Sequence, residues 1–234
     1  MDRIVILTGA GISAESGLGT FRDAGGIWSE HRIEDVATPE GFARDPARAH
    51  RFYNARRAMA ARARPNAAHV ALARLQAAHR GEVVIVTQNV DALHEAAGSR
   101  RVIHMHGELA RALCAACGHR WQAPAEMSGQ DACPRCRARA CRPDVVWFGE
   151  IPYRMDEIMG HLAAARLFAA IGTSGQVWPA AGFAETAARA GAHCVEINPE
   201  PSAVAGDFHE ALRGRASEVV PGWVAGLLGE AQLP

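Results

Sequence analysis

Gly9-Ala-Gly-Ile-Ser-Ala-Glu-Ser-Gly-Leu-Gly-Thr-Phe21, continued by Arg22, follows directly on the apolar run Arg3-Ile-Val-Ile-Leu-Thr8. The run is rich in β-branched residues and reads as a buried strand. A strand that enters Gly-x-Gly-x-x-Ala is the phosphate-binding turn of a doubly wound parallel sheet. Gly9 permits the tight turn, Gly11 lets the backbone approach a pyrophosphate, and Ala14 is small enough for the helix to pack close on the strand. Gly-rich corners also join strands to helices without any ligand. Here Ser13, Ser16, Gly17, Gly19, Phe21 and Arg22 crowd small, hydroxylic and cationic groups just past the turn. A plain corner has no need of an arginine there, whereas a pyrophosphate does.

Outward from this turn, further β-rich runs occur at Val83–Thr87, Leu167–Ile171, 194–197 and 218–220. Ala-rich stretches that favour helix separate them, at 46–63, 67–79, 156–165 and 180–190. Strands alternating with helices predict an α/β fold on a parallel sheet. One spacing departs from a simple dinucleotide-binding unit. Val83 comes 75 residues after Thr8, where a βαβ unit needs only about 30. The acid that the hydride-transfer fingerprint places about 20 residues after the turn is also missing from a strand end. A helical module is therefore expected after the first turn, and a second insert, 109–142, holds five of the six Cys.

The 234 residues suffice for one large domain, or for one domain with a smaller lobe. Formal net charge is zero, so no global electrostatic case exists for nucleic acid or a membrane surface. All 25 basic side chains besides His are Arg, so the protein cannot carry modified lysines of its own. No apolar run reaches the ~18 residues of a membrane span, and the chain enters its first strand at residue 3. A cytoplasmic protein without a leader is expected, with Cys serving as metal ligands or core thiols.

Cys114-Ala-Ala-Cys117 and Cys133-Pro-Arg-Cys136 are separated by 15 residues. Two such pairs offer four thiolates that close a tetrahedral zinc site with no open position, which makes the metal structural. The charge of such a site, −2, would be offset by Arg111, Arg120, Arg135, Arg137, Arg139 and Arg142 against Glu126 and Asp131. A redox pair is the bland alternative. A nucleic-acid-binding zinc ribbon is another, drawing on Arg135, Arg137 and Arg139, although Trp121 is the one aromatic nearby. Cys141 is a spare fifth thiol, and Cys194 reads as core.

The second strand ends in Gln88-Asn-Val-Asp91-Ala-Leu-His94. Ligands of open α/β sheets bind beyond the carboxyl ends of strands, so Gln88, Asn89 and Asp91 stand where a ribose and a carboxamide would be read. Helix capping explains one of the three polar groups, not all. His104-Met-His106-Gly107 follows; residues two apart on a strand share a face, and His is the usual general base near neutral pH. Gly172-Thr173-Ser174 and Asn198-Pro-Glu200 end later strands with groups suited to phosphate and ribose.

Taken together the chain resembles the sirtuins, NAD-dependent protein lysine deacylases. The motifs Gly9-Ala-Gly-x-Ser13-x-x-Ser16-Gly17 with Phe21-Arg22, Thr87-Gln-Asn-x-Asp-x-Leu-His94, His106-Gly107, both Cys-x-x-Cys pairs, Arg142-Pro-x-Val-Val-Trp-Phe-Gly-Glu150 and Gly172-Thr-Ser174 match in order. The resemblance runs from Ile4 to about Val220. It implies a single catalytic domain over 1–234. A large Rossmann-like lobe would comprise about 1–30, 81–108 and 146–234, and a small lobe would pair a helical module (31–80) with a four-cysteine zinc module (109–145). It implies NAD as a consumed co-substrate and one structural Zn²⁺. His106 is the implied base toward the nicotinamide-ribose hydroxyls. Gly9, Ala10, Gly11, Ser13, Phe21, Arg22, Gln88, Asn89, Asp91, Gly172, Thr173, Ser174, Asn198, Glu200 and Ala216 match or fall near cofactor contacts. Val145, Val146, Trp147, Phe148 and Gly149 match the edge to which an acyl-lysine peptide adds as a strand. The implied reaction moves the acyl group to the ribose, giving free lysine, nicotinamide and O-acyl-ADP-ribose. Acylated-lysine proteins or peptides are the implied partners, with neither membrane nor nucleic acid.

Tyr53 and Arg56 lie three apart in a predicted helix and share a face. A phenol beside a guanidinium can hold a carboxylate, and the pair resembles the Tyr-x-x-Arg of the sirtuin class that removes succinyl and malonyl groups. Ala37 matches the small residue that widens the acyl pocket in that class. The competing explanation is a solvated Arg-rich face, since residues 44–64 carry seven Arg against Asp45. Two other functions stay open on sequence alone: mono-ADP-ribosyl transfer to protein, and a non-catalytic zinc-containing nucleic-acid binder.

Overall fold

The computed structural model describes residues 2–19 and 31–230. Its strands are β1 (Ile4–Thr8), β2 (Val83–Thr87), β3 (Val102–His104), β4 (Gly107–Cys114), β5 (Arg120–Gln122), β6 (Cys141–Val145), β7 (Leu167–Ile171), β8 (His193–Asn198) and β9 (Glu210–Arg213). The helices are α1 (Ala10–Ala14), α2 (Ile33–Val36), α3 (Pro39–Arg44), α4 (Pro46–Arg62), α5 (Ala67–Ala78), α6 (Leu93–Ala96), α7 (Met155–Ala163), α8 (Phe183–Arg189) and α9 (Ala216–Leu227).

The large sheet has the order β3-β2-β1-β7-β8-β9, and every neighbouring pair in it is parallel. The chain runs outward from β1 to β3, returns across the sheet, and continues outward from β7. The order therefore reverses between β1 and β7, which makes their carboxyl ends the switch point where such sheets bind ligands. β1 and β2 are buried at every residue, as strands covered on both faces must be. Val5, Leu7, Val84, Val86 and Phe168 face Ile158 and Leu162 of α7 and Phe183 of α8. Ile4, Ile6, Val83 and Ile85 face Leu72 and Leu75 of α5 and Val220 and Val224 of α9. The alternation has the strand period of two.

Residues 218–220, expected as a strand, lie in α9. Its buried residues Ala216, Val220 and Val224 recur every four positions, the helical period, and this outweighs the local β preference of Val219-Val220. The last strand of the sheet is β9 instead, mostly exposed at the edge.

The first insert forms α2 to α5, as expected of a helical module. The second forms an antiparallel sheet of order β5-β4-β6. The two meet in one apolar cluster of Val36, Ala37, Phe52, Tyr53, Leu109, Val145 and Trp147. Polar groups join them as well. Arg57 of α4 donates through Nε to the Leu109 carbonyl (2.8 Å) and through Nη1 to the Ala125 carbonyl (3.2 Å). Asn54 exchanges two bonds of 2.9 Å with the Met127 backbone. Among the described residues no helix is long and apolar enough to cross a membrane.

Candidate active site

A cleft of about 700 Å³ opens at the switch point and runs toward the small sheet. Gly9, Ala10, Gly11 and Ser13 line it after β1, Gln88, Asn89 and Asp91 after β2, Gly172, Thr173 and Ser174 after β7, and Asn198 and Glu200 at and after the end of β8. The expected cofactor residues thus converge from four strand ends. Phe21 and Arg22 lie outside the described residues. Ala216 is placed elsewhere: it starts α9 and packs in the core, not on the cleft lining.

The glycines of the first turn answer a demand within the protein. A Cβ on Gly9 would stand 2.7 Å from the Gly172 carbonyl oxygen, and one on Gly11 would stand 2.7 Å from the Gly172 Cα. β1 and β7 turn so close together that neither position admits a side chain. Behind the turn, Asn89 Nδ2 donates to the Gly9 carbonyl (3.0 Å) and to Ser13 Oγ (3.1 Å). Asp91 accepts from Ser13 Oγ and from the Leu93 amide, each at 3.0 Å. Thr8 Oγ1 donates to Thr87 Oγ1 (2.9 Å), which accepts from the Asn89 amide (3.0 Å), and His94 Nε2 lies 3.0 Å from Thr8 Oγ1. These bonds fix the 88–91 loop from below. Gln88 and Asn198 are tied across the cleft floor, to Thr173 Oγ1 (3.0 Å) and the Thr173 carbonyl (2.8 Å).

The two histidines do not share a strand face, contrary to expectation. His104 ends β3, while His106 sits in the turn before β4. His104 Nε2 lies 2.8 Å from Glu95 Oε1, with Nδ1 3.3 Å from the Asn89 carbonyl. Burial opposes a charge on His104, but the hydrogen bond and charge of Glu95 overcome it and raise its pKa above 6.5. His106 lines the cleft, and its Nδ1 lies 3.1 Å from the Gln88 carbonyl. A carbonyl only accepts, so Nδ1 carries the proton and Nε2 is left as an acceptor. Burial holds the His106 pKa below 6.5, so its ring is neutral near pH 7. Glu95 thus favours the charged form of His104, while burial favours the neutral form of His106.

At the far end, Ala37, Tyr53, Arg56, Val145, Val146, Trp147, Phe148 and Gly149 line the same cleft. The Tyr53 hydroxyl accepts from Trp147 Nε1 at 2.9 Å. The Arg56 guanidinium carbon lies 5.7 Å from the Phe52 ring centre and 5.8 Å from that of Tyr53. Val146 donates to the His106 carbonyl (2.8 Å) and Phe148 to the Ala37 carbonyl (2.9 Å), tying this wall to both His106 and the helical module. Arg56 thus belongs to the cleft rather than to a solvated helix face.

Cys114, Cys117, Cys133 and Cys136 bring their sulfurs within 4.8 Å of one another. The Cys114–Cys136 and Cys117–Cys133 separations are 3.6 and 3.8 Å, where a tetrahedral site with Zn–S bonds of ~2.3 Å requires about 3.8 Å. The two knuckles are alike. Gly118 and Arg137 each donate an amide to the first Cys carbonyl of their pair (2.9 Å), with φ of 69° and 65°. This donor set fits a structural zinc ion. Two of the six arginines expected to offset its charge are committed elsewhere, Arg120 to Asp144 and Arg142 to Glu150.

The sequence profile of the Sir2 family matches residues 9–179. The chain belongs to the Sir2 family. A Caulobacter vibrioides protein named NAD-dependent protein deacylase is 56% identical over 230 residues, covering 97% of each chain. A Sir2 homologue in complex with NAD is similar with a TM-score of 0.89 at 38% identity, over 96% of this chain and 89% of that one. A Sir2 mutant bound to a deacetylated peptide and 3′-O-acetyl ADP-ribose gives a TM-score of 0.82 at 28% identity, over 97% and 94%.

The Sir2 cleft also includes residues the sequence reading missed. Gln176, Val177 and Trp178 continue the lining after Ser174, and Pro199, Pro201, Ser202 and Ala203 surround Glu200. Strand-end position was the available signal, and it reaches only as far as the strand end is recognised. Met59, one turn beyond Arg56 on α4, and Leu109 complete the far wall.

Proposed function

We propose that this Sir2 enzyme removes acyl groups from protein lysines at the expense of NAD, accepting succinyl and malonyl groups beside acetyl. The observation that carries this is one continuous cleft from the switch-point turn, past a neutral His106, to Tyr53 and Arg56. When bound, NAD supplies an electrophilic ribose carbon, a nicotinamide leaving group and the ADP-ribose that receives the acyl group. The Gly9–Ser13 turn and the Gly172–Ser174 turn would hold its phosphates, Asn198 and Glu200 the adenosine ribose, and Gln88, Asn89 and Asp91 the nicotinamide ribose and carboxamide. His106 Nε2 takes a proton from a ribose hydroxyl, which its Gln88-fixed tautomer equips it to do. Val145 to Gly149 offer the backbone edge for the substrate peptide. Tyr53 and Arg56 receive the carboxylate of an acidic acyl group, and Ala37 leaves room for it. The division into a large lobe (1–30, 81–108, 146–234) and a small lobe (31–80 with 109–145) agrees with the Arg57 and Asn54 bonds that join the two inserts. Free thiols suit a reducing cytoplasm, and acylated proteins or peptides are the partners, with no role for nucleic acid or membrane.

Mass spectrometry of matched succinyl-lysine and acetyl-lysine peptides, with and without NAD, tests this, with His106→Ala as control. NAD-dependent loss of succinyl with O-succinyl-ADP-ribose formed is the expected result. Loss of acetyl alone would remove the acidic-acyl reading, and an ADP-ribose adduct on the peptide would point to ADP-ribosyl transfer. Arg56→Met is expected to lower desuccinylation far more than deacetylation; equal loss of both would count against a carboxylate-reading role.

A further inference from the structure

Arg142 is buried on β6 and is not itself part of the cleft lining, yet each of its partners is. Its guanidinium is bidentate to Glu150, with Nη1–Oε1 at 2.6 Å and Nη2–Oε2 at 2.9 Å, and Nη2 also donates to the Val145 carbonyl at 2.8 Å. Its central carbon stands 3.4 Å from the centre of the Trp147 ring. Glu150 closes the arrangement by accepting the Trp147 amide at 2.8 Å. The 145–150 turn is thus wound around one ion pair, and that pair clamps the indole on its face and at its backbone. Phe42 packs against the ring at 4.9 Å between centres. The indole has one polar atom, Nε1, and it donates to Tyr53.

That bond decides what Tyr53 can offer. A phenol carries one proton and accepts on the same oxygen, and an indole N–H only donates. With the indole donating from one side of the oxygen, the Tyr53 proton points elsewhere. Burial pushes the Tyr53 phenol up from 10, so the proton is present throughout the working pH range.

We infer that Arg142 is a positioning residue for acyl-group choice: by bracing Trp147 it holds the indole N–H on Tyr53 and reserves the Tyr53 proton for the carboxylate of an acidic acyl group. This rests on the reading that Tyr53 and Arg56 receive that carboxylate. Acetyl has no such group, so the Nε1–Tyr53 bond acts on one substrate class, while the backbone edge that the Arg142–Glu150 pair also holds serves both and cancels in their ratio. Arg142→Lys keeps the charge but loses the fork and the planar stack. Trp147→Phe keeps an aromatic ring between Arg142 and Phe42, with less area, and loses the N–H.

The experiment measures kcat and KM for matched succinyl and acetyl peptides at saturating NAD, for the wild type, Arg56→Met, Arg142→Lys, Trp147→Phe and the double variant. Arg142→Lys is expected to lower the succinyl-to-acetyl ratio of kcat/KM about tenfold, the scale of one hydrogen bond to a charged group. The loss should lie in KM for the succinyl peptide, with KM for NAD unchanged. Trp147→Phe should lower the ratio similarly, and the double variant should fall no further than either single one, because both break the same relay. Equal decline of both acyl activities in Arg142→Lys and in Trp147→Phe, or additive losses in the double variant, would overturn the inference. If Arg142→Lys does not fold, Trp147→Phe alone decides by the same ratio. Failure of Arg56→Met to change the ratio would instead remove the carboxylate reading, and the inference with it. A changed ratio in Arg56→Met beside unchanged ratios in the other two would remove the bracing alone.

Discussion

Gly107 shows why a motif can hold for a reason other than the one read into it. His106-Gly107 was legible as a pair, and a shared strand face with His104 was the wrong explanation. Gly107 has φ +79°, and a Cβ there would stand 2.1 Å from the Asp144 carbonyl oxygen and 2.9 Å from the Val145 Cα. The residue after His106 is where β4 leaves the turn pressed onto β6, and only glycine permits both the left-handed backbone and the contact. Gly107→Ala is therefore expected to destabilise the protein by more than the ~1–2 kcal/mol of the backbone strain alone. It should also lower kcat/KM, because the His106 carbonyl to Val146 bond lies beside the collision. Gly98, with φ +101° and nothing within 4 Å of a Cβ, supplies the comparison. Urea denaturation of Gly98→Ala should show the strain without the collision, and equal losses in the two variants would contradict this account.

At the scale of elements, the parts legible in the sequence are those whose local pattern and tertiary role agree. β1, β2 and β7 are continuous apolar runs because both faces are covered, and their bounds were read to the residue. β9 escaped because an edge strand has little apolar surface to display, and 218–220 misled because a β-branched pair can serve a helix face. The cysteine spacing was legible because metal geometry imposes it. Its consequence for the cleft was not, since it depends on β6. Cys114 pairs with Cys141 across β4 and β6, and β6 ends in Val145 on the cleft wall. The four-sulfur site thus anchors the sheet whose far end carries 145–149. Removal of the metal by a chelator, or Cys133→Ser, is expected to raise amide hydrogen exchange first within 109–145, with β1, β2 and β7 still protected. Deacylation should fall in step with that local opening. Full activity in protein shown to be metal-free would refute the anchoring.

On the scale of the whole molecule, the helical module is held to the large sheet by α5, and this contact contains two buried histidines. His69 of α5 and His94 of α6 lie 5.0 Å apart between ring centres. Burial depresses both, His94 to about 3, with His69 and His104 adding to the effect, and His69 to about 4. Both must stay neutral in the folded state, whereas in the unfolded chain they take up protons near 6.5. A depressed pKa contributes stability that is complete above 6.5 and lost as pH falls toward the folded value. His104, with its raised pKa, acts above 6.5 and adds no slope below it. Between pH 6 and 5, then, each of the two buried rings should contribute a loss of about 1.2 kcal/mol. His69→Gln isolates one of them. His69 Nδ1 accepts the Asn66 amide as the N3 member of a capping box, a position where glutamine serves equally, so the cap survives while the titration is removed. Unfolding by urea at pH 7, 6 and 5 should show the variant losing less stability than the wild type, by about 0.7 kcal/mol from pH 7 to 6 and about 1.2 kcal/mol from pH 6 to 5. Parallel pH slopes would mean that the His69 ring is already solvated in the folded state, and that the seam between the helical module and the sheet is looser than its packing indicates.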